Sequence, residues 1–191
     1  MKKKSFIMAL ALVLVFAVAV GGVVAWLTAQ TDPVTNTFTV GDINITLEET
    51  TGSSYQVIPG DTQDKDPKVT VLANSEACYL FVKIDEANNT MTVNGETVKI
   101  VNYAIANGWT QGKETDGIPT NVYWREVDAV TADTGYYVFS GGTDNHGAVT
   151  INDNVTKGQI DAANQPTLTF TAYAVQKDNI ADAATAWAAT K

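Results

Sequence analysis

Cysteine, histidine and basic side chains are scarce in this 191-residue chain. The single cysteine, Cys78, cannot make an internal disulfide, so the fold must rest on its core. Cys78 lies in a strand-like apolar run, which reads as a small buried core residue. The single histidine, His146, lies in a loop rich in Gly, Asn and Asp. One histidine cannot supply a zinc triad, and no His-Glu-x-x-His helix is present. There is no Cys-x-x-Cys pair, Gly-x-Ser-x-Gly elbow or Gly-rich phosphate loop. The inventory disfavours a hydrolase; the expectation is a non-enzyme with no cofactor and no metal. Basic residues number 12 against 21 acidic, a net charge of −9. Such a surface repels nucleic acid and anionic lipid.

The apolar residues fall into two kinds of pattern. Residues 1–25 read as a secretory signal: Lys2, Lys3 and Lys4, an apolar run from Phe6 to Val20, then small residues. Val23 and Ala25 occupy the −3 and −1 positions for a cut between Ala25 and Trp26. A cut after Ala29, with Leu27 at −3, is the second option. The run is long enough to span a bilayer, so a retained anchor is the alternative fate. Contact with a membrane is expected only through this uncleaved segment.

Beyond it the period changes to two. Asp32 and Pro33 interrupt the chain. Phe38 and Val40, then Ile43, Ile45 and Leu47, alternate with polar residues around Gly41, as in a half-buried strand with a bend. Further strands are predicted over 55–58, 68–73, 78–85, 122–127, 136–139 and 148–151, with a turn at 132–135. Asn94 and Gly95 predict a type I′ hairpin within 91–100. Pro59 and Gly60, followed by Asp61, predict a turn. Residues 167–176 carry apolar side chains on both faces, which predicts a central strand. A final helix over 180–189, capped by Asp178 or Asn179, would present Ile180, Ala183, Ala184 and Trp187 as one stripe. Many short strands with turns between them imply an all-β antiparallel sandwich. The division is signal 1–25, arm 26–36 and β-domain 37–191.

The small-residue signal end, the aromatic-containing arm, the run from Asn36 to Leu47, the Pro59-Gly60-Asp61 turn before a strand pair, and the last strand with its helix resemble the TasA/camelysin family. These are exported biofilm matrix proteins processed by a SipW-type signal peptidase. The resemblance covers the two ends of the β-domain; residues 90–160 carry no matching motif. Camelysins have been described as metalloproteases, and nothing in this residue inventory carries that activity over. The resemblance implies a jelly roll with a short C-terminal helix, secreted to the extracellular matrix or cell surface of a Gram-positive-type bacterium. It further implies assembly into fibres with other copies of the chain, and a minor accessory protein that nucleates them. The implied mechanism is donor-strand insertion. Trp26, Leu27, Thr28, Ala29, Gln30 and Thr31 would form the inserted strand, and Pro33 would end it, since proline cannot donate to a ladder.

Two other readings are open to the sequence. A monomeric secreted module for cell-surface or carbohydrate binding would use Trp109, Tyr123, Trp124, Tyr136 and Tyr137, although aromatics in strands more often serve cross-strand packing. Asp61, Asp64 and Asp66, and separately Asp144, Asn145, Asn152, Asp153 and Asn154, offer oxygens for calcium but lack the EF-hand spacing. They read as solvated turn residues.

Overall fold

Alternation with period two runs through most of the domain and produces strands. The computed structural model describes residues 42–52, 55–156, 160 and 164–191. In chain order the strands are β1 (Ile45–Glu48), β2 (Thr62–Asp64), β3 (Lys68–Val71), β4 (Cys78–Ala87), β5 (Thr90–Val93), β6 (Glu96–Lys99), β7 (Val101–Tyr103), β8 (Thr110–Gln111), β9 (Val122–Val127), β10 (Thr134–Tyr137), β11 (Ala148–Ile151) and β12 (Thr167–Gln176). One short helix, α1 (Ala183–Ala188), follows. Every strand pairing is antiparallel, so the described part is all-β apart from α1 and two 3-10 turns.

Among the described residues the most apolar run takes the centre. β4 lies between β12 and β9, with β8 beyond β9. Its Cys78, Leu80, Val82 and Ile84 enter the main core, while Tyr79 and Phe81 point the other way into a second cluster. The opposite layer is built from β1-β3-β10 and β2-β11-β7. These two sets run into each other through the hydrogen bonds Val138 N–H to Pro67 O (2.8 Å) and Lys65 N–H to Gly147 O (3.1 Å). Val69 and Val71 of β3, Val101 of β7 and Val149 and Ile151 of β11 meet the inner row of β4 in one core. At 0–3% exposure the rows of β3, β4 and β11 have almost no contact with water.

Asn94 and Gly95 adopt φ of 51° and 88°, and Val93 pairs with Glu96 across them. That is the two-residue hairpin expected from the dipeptide. Strands β9 and β11 match their predicted bounds. Other boundaries moved. Residues 55–58 join no ladder among the described residues. β3 stops at Val71, because the next residues turn through Asn74 at φ 64°. Thr134 and Gly135, expected in a turn, pair with Val71 and Thr70. The connection lies upstream, where Asp133 accepts from the Ala73 N–H at 2.9 Å.

The C-terminal helix is shorter than the apolar stripe suggested. Asn179 has φ 63°, and the Ile180 N–H closes a turn onto Lys177 O at 3.1 Å. A left-handed residue cannot serve as an N-cap, which needs extended backbone. Asp182 is the cap instead, extended at φ −161° and accepting from the Thr185 N–H at 2.8 Å. The stripe itself holds. Ala183, Ala186 and Trp187 are buried, with Ile180 and Ala184 half-buried, against Tyr79, Phe81, Tyr173 and Val175 on the outer face of the β4 sheet.

Candidate acceptor edge

Strand β12 was expected at the centre of its sheet. Among the described residues it has one hydrogen-bonded neighbour, β4, and forms the sheet's edge. Its ten residues pair with β4 from Thr167–Ala87 to Gln176–Cys78. An antiparallel strand directs about half of its backbone N–H and C=O groups to each side. The outward half of β12 finds no ladder among the described residues. β1 ends the other layer in the same way, paired only with β3, and runs close beside β12. Among the described residues both layers therefore terminate together.

The inner rows differ accordingly. Leu80, Val82 and Ile84 of β4 are 0%, 0% and 1% exposed. Leu168, Phe170, Ala172 and Ala174, their neighbours on β12, are only half-buried against the same core. Ile45 and Leu47 of β1 are half-buried too. An edge whose outward backbone groups have no ladder among the described residues, beside a partly wet apolar row, is what an added strand can complete.

A cavity of about 730 Å³ opens at the start of β12. Val57, Ile58, Val101, Ile151 and Leu168 give it apolar walls, and Ile58 is 48% exposed. The Pro59-Gly60-Asp61 motif positions one wall. The Asp61 N–H bonds Ile58 O at 3.1 Å, and Gly60 takes φ 75°, as the third position of a type II turn requires. The turn then docks on β11: Gly60 N–H to Ile151 O (3.1 Å) and Ile151 N–H to Asp61 O (2.9 Å). These three residues are structural.

Polar groups fix the cavity's other side. Lys65 is buried, with its Nζ 2.5 Å from Glu49 Oε1 and 4.6 Å from the centre of the Tyr55 ring. The Tyr55 hydroxyl donates to Glu49 Oε1 at 2.7 Å, and burial pushes its pKa up to about 12. Asp66, also buried, accepts from the backbone N–H of Thr50 (2.9 Å) and Thr51 (3.0 Å) and from both hydroxyls. Burial alone would raise its pKa. The four hydrogen bonds outweigh that and bring it to about 2.

The other sequence candidates separate. Asp64 accepts from Thr143, and Asp61 from the Gln63 amide, so neither converges with Asp66 on a common point. Among the described residues no group of three or more His, Cys, Asp or Glu side chains is placed to hold a metal ion. Cys78 is fully buried, and desolvation raises its thiol pKa to about 11. His146 is exposed and stacks on Tyr137, ring centres 4.2 Å apart. The aromatic set does not form one face. Trp124 meets Tyr79 on the outer side (6.3 Å), whereas Trp109 and Tyr136 flank Arg125 elsewhere. The cleavage pair Ala25 and Trp26, and the arm residues Trp26, Leu27, Thr28, Ala29, Gln30 and Thr31, lie outside the described residues. Among the described residues no helix is long and apolar enough to cross a membrane.

Comparison of the chain with family models, with curated proteins and with solved structures finds no match.

Proposed function

We propose that this chain is an exported structural subunit of extracellular fibres. After a cut between Ala25 and Trp26, its N-terminal arm inserts as a strand into the next copy. The observation that carries this reading is the edge of β12: ten residues paired on one side among the described residues, with a half-buried apolar inner row. The reading takes the two layers as a jelly roll with one strand position left for a partner. The arm suits that position. It carries apolar Trp26 and Leu27 and meets Pro33 where a ladder must stop. The resemblance to the TasA/camelysin family supports processing by a SipW-type signal peptidase, secretion to a biofilm matrix, and a minor nucleating protein. Asp66, expected as a solvated turn acid but buried and spent on loop hydrogen bonds, an inert buried thiol and a stacked exposed histidine fit a scaffold better than an enzyme. The dispersed aromatics speak against a continuous sugar-binding face.

Electron microscopy and size-exclusion chromatography of the secreted chain test the proposal. The chain beginning at Trp26 should form filaments. A secreted chain that begins at Trp26 and stays monomeric at all concentrations would overturn it.

A further inference from the structure

We propose that Arg125 is the anchor of a carboxylate-binding site at the rim of the core, walled by Trp109 and Tyr136. Arg125 is the chain's one arginine, and it stands on the inward-facing row of β9 with buried Val127. Its guanidinium carbon lies 4.0 Å from the ring centre of Tyr136, which belongs to the opposite layer, and 5.5 Å from that of Trp109. The Trp109 indole N–H is tied to Tyr137 O at 2.8 Å, so that wall is fixed.

The polar edge of the guanidinium is unspent. Its Nε is buried without a hydrogen-bond partner, and among the described residues no carboxylate pairs with it. By contrast Lys65, Lys83, Lys99 and Lys177 each hold a carboxylate. Glu126, the next residue on β9, is taken by Lys177. A guanidinium stacked on a ring offers its face to the ring and keeps its N–H groups in plane. That in-plane edge matches the two oxygens of a carboxylate. Partial burial lowers the pKa of Arg125, yet an arginine keeps its charge in proteins. The same burial strengthens an ion pair made there. The ligand class is therefore a small carboxylate, free or borne on a sugar ring that the aromatic walls can contact. This inference stands whether or not the chain assembles.

One arginine gives one Nε–H resonance, which makes the test direct. The secreted chain is titrated with sodium acetate, with sodium glucuronate, and with sodium chloride at matched ionic strength. The signal is read in solution or by magic-angle spinning as the assembly state requires. A saturable shift with the carboxylates and a featureless response to chloride is expected. Equal affinities would identify the bare carboxylate as the ligand group, and tighter glucuronate binding would assign the sugar-borne source. Arg125→Lys keeps the charge and loses the two-pronged edge. Its affinity, followed through the Trp109 indole N–H, should fall about tenfold. Equal response of the wild-type signal to all three salts would overturn the site, whatever the variant does. Undiminished binding by Arg125→Lys would overturn the role of the guanidinium edge.

Discussion

Single side chains in this protein are mostly spent on holding loops to the layers, and Asp66 is the clearest case. Its carboxylate satisfies two backbone N–H groups and two hydroxyls of the segment after β1. The ordinary value of 3.8 falls to about 2 in the folded chain. A depressed carboxylate contributes stability that is present above the unfolded pKa and lost as pH falls through the folded one. Urea midpoints should therefore drop between pH 4 and pH 2, and Asp66→Asn should flatten that slope while lowering the midpoint at pH 7. A slope unchanged in Asp66→Asn would assign the acid sensitivity to other groups. Cys78 shows the opposite use of burial. Cys78→Ser places a hydroxyl in a dry core and should cost about 1–3 kcal/mol in urea unfolding. Filaments of that variant should form as in the parent, since the thiol has no partner that catalysis needs. Loss of filaments from a chain that still folds would reopen an active role for the thiol.

Elements show where local signals were enough. The Asn94-Gly95 hairpin needs only two residues willing to take positive φ, and both do. β9 and β11 were legible because turn residues bound them closely. The helix cap was misplaced by a few residues, because Asp178, Asn179 and Asp182 are all acceptable caps by type. Only the Lys177–Ile180 turn selects Asp182. β12 misled for a different reason. Its two-sided apolar character is met by the core on one face and α1 on the other, while among the described residues β4 is its one strand neighbour. Neighbour order within a sheet is a long-range property, so the edge position of β12 among the described residues was not legible, whereas the arm's apolar residues and proline were. Nor did type and spacing reveal that Arg125, Trp109 and Tyr136 meet, since they come from two layers. The α1 cover gives a sharp test. Trp187 is buried, with ring centres 5.4 Å from Phe81 and 5.3 Å from Tyr173. Trp187→Ala should cost about 3–5 kcal/mol in urea unfolding, as large aromatic deletions do. Its indole N–H is buried without a partner, so Trp187→Phe forfeits no hydrogen bond. It should be much milder. Equal losses for the two variants would mean that the indole makes an interaction its ring packing does not explain.

At the scale of the whole molecule, donation in trans differs from any contact between finished surfaces, because it depends on a free N-terminus. An arm that fills the groove of the next copy makes a head-to-tail contact, and such contacts propagate as open filaments unless the rotation closes a ring. Ladder hydrogen bonds contribute roughly 0.5–1.5 kcal/mol each. Burying Trp26 and Leu27 adds roughly 1.5–3 kcal/mol per side chain. An arm of residues 26–32 thus gains on the order of 10 kcal/mol. Association itself costs roughly 4–15 kcal/mol, so the margin is thin and loss of the arm should abolish assembly rather than weaken it. Three outcomes follow from that balance. Uncut precursor should stay unpolymerised, since its arm continues into the export segment. A chain starting at Val34 should fold and remain monomeric by size-exclusion chromatography. A peptide of residues 26–33 should slow elongation of the full mature chain in a dose-dependent way, by occupying the groove at growing ends. If the Val34-start chain forms filaments as readily as the Trp26-start chain, the arm is not the donor. Assembly would then proceed through another edge.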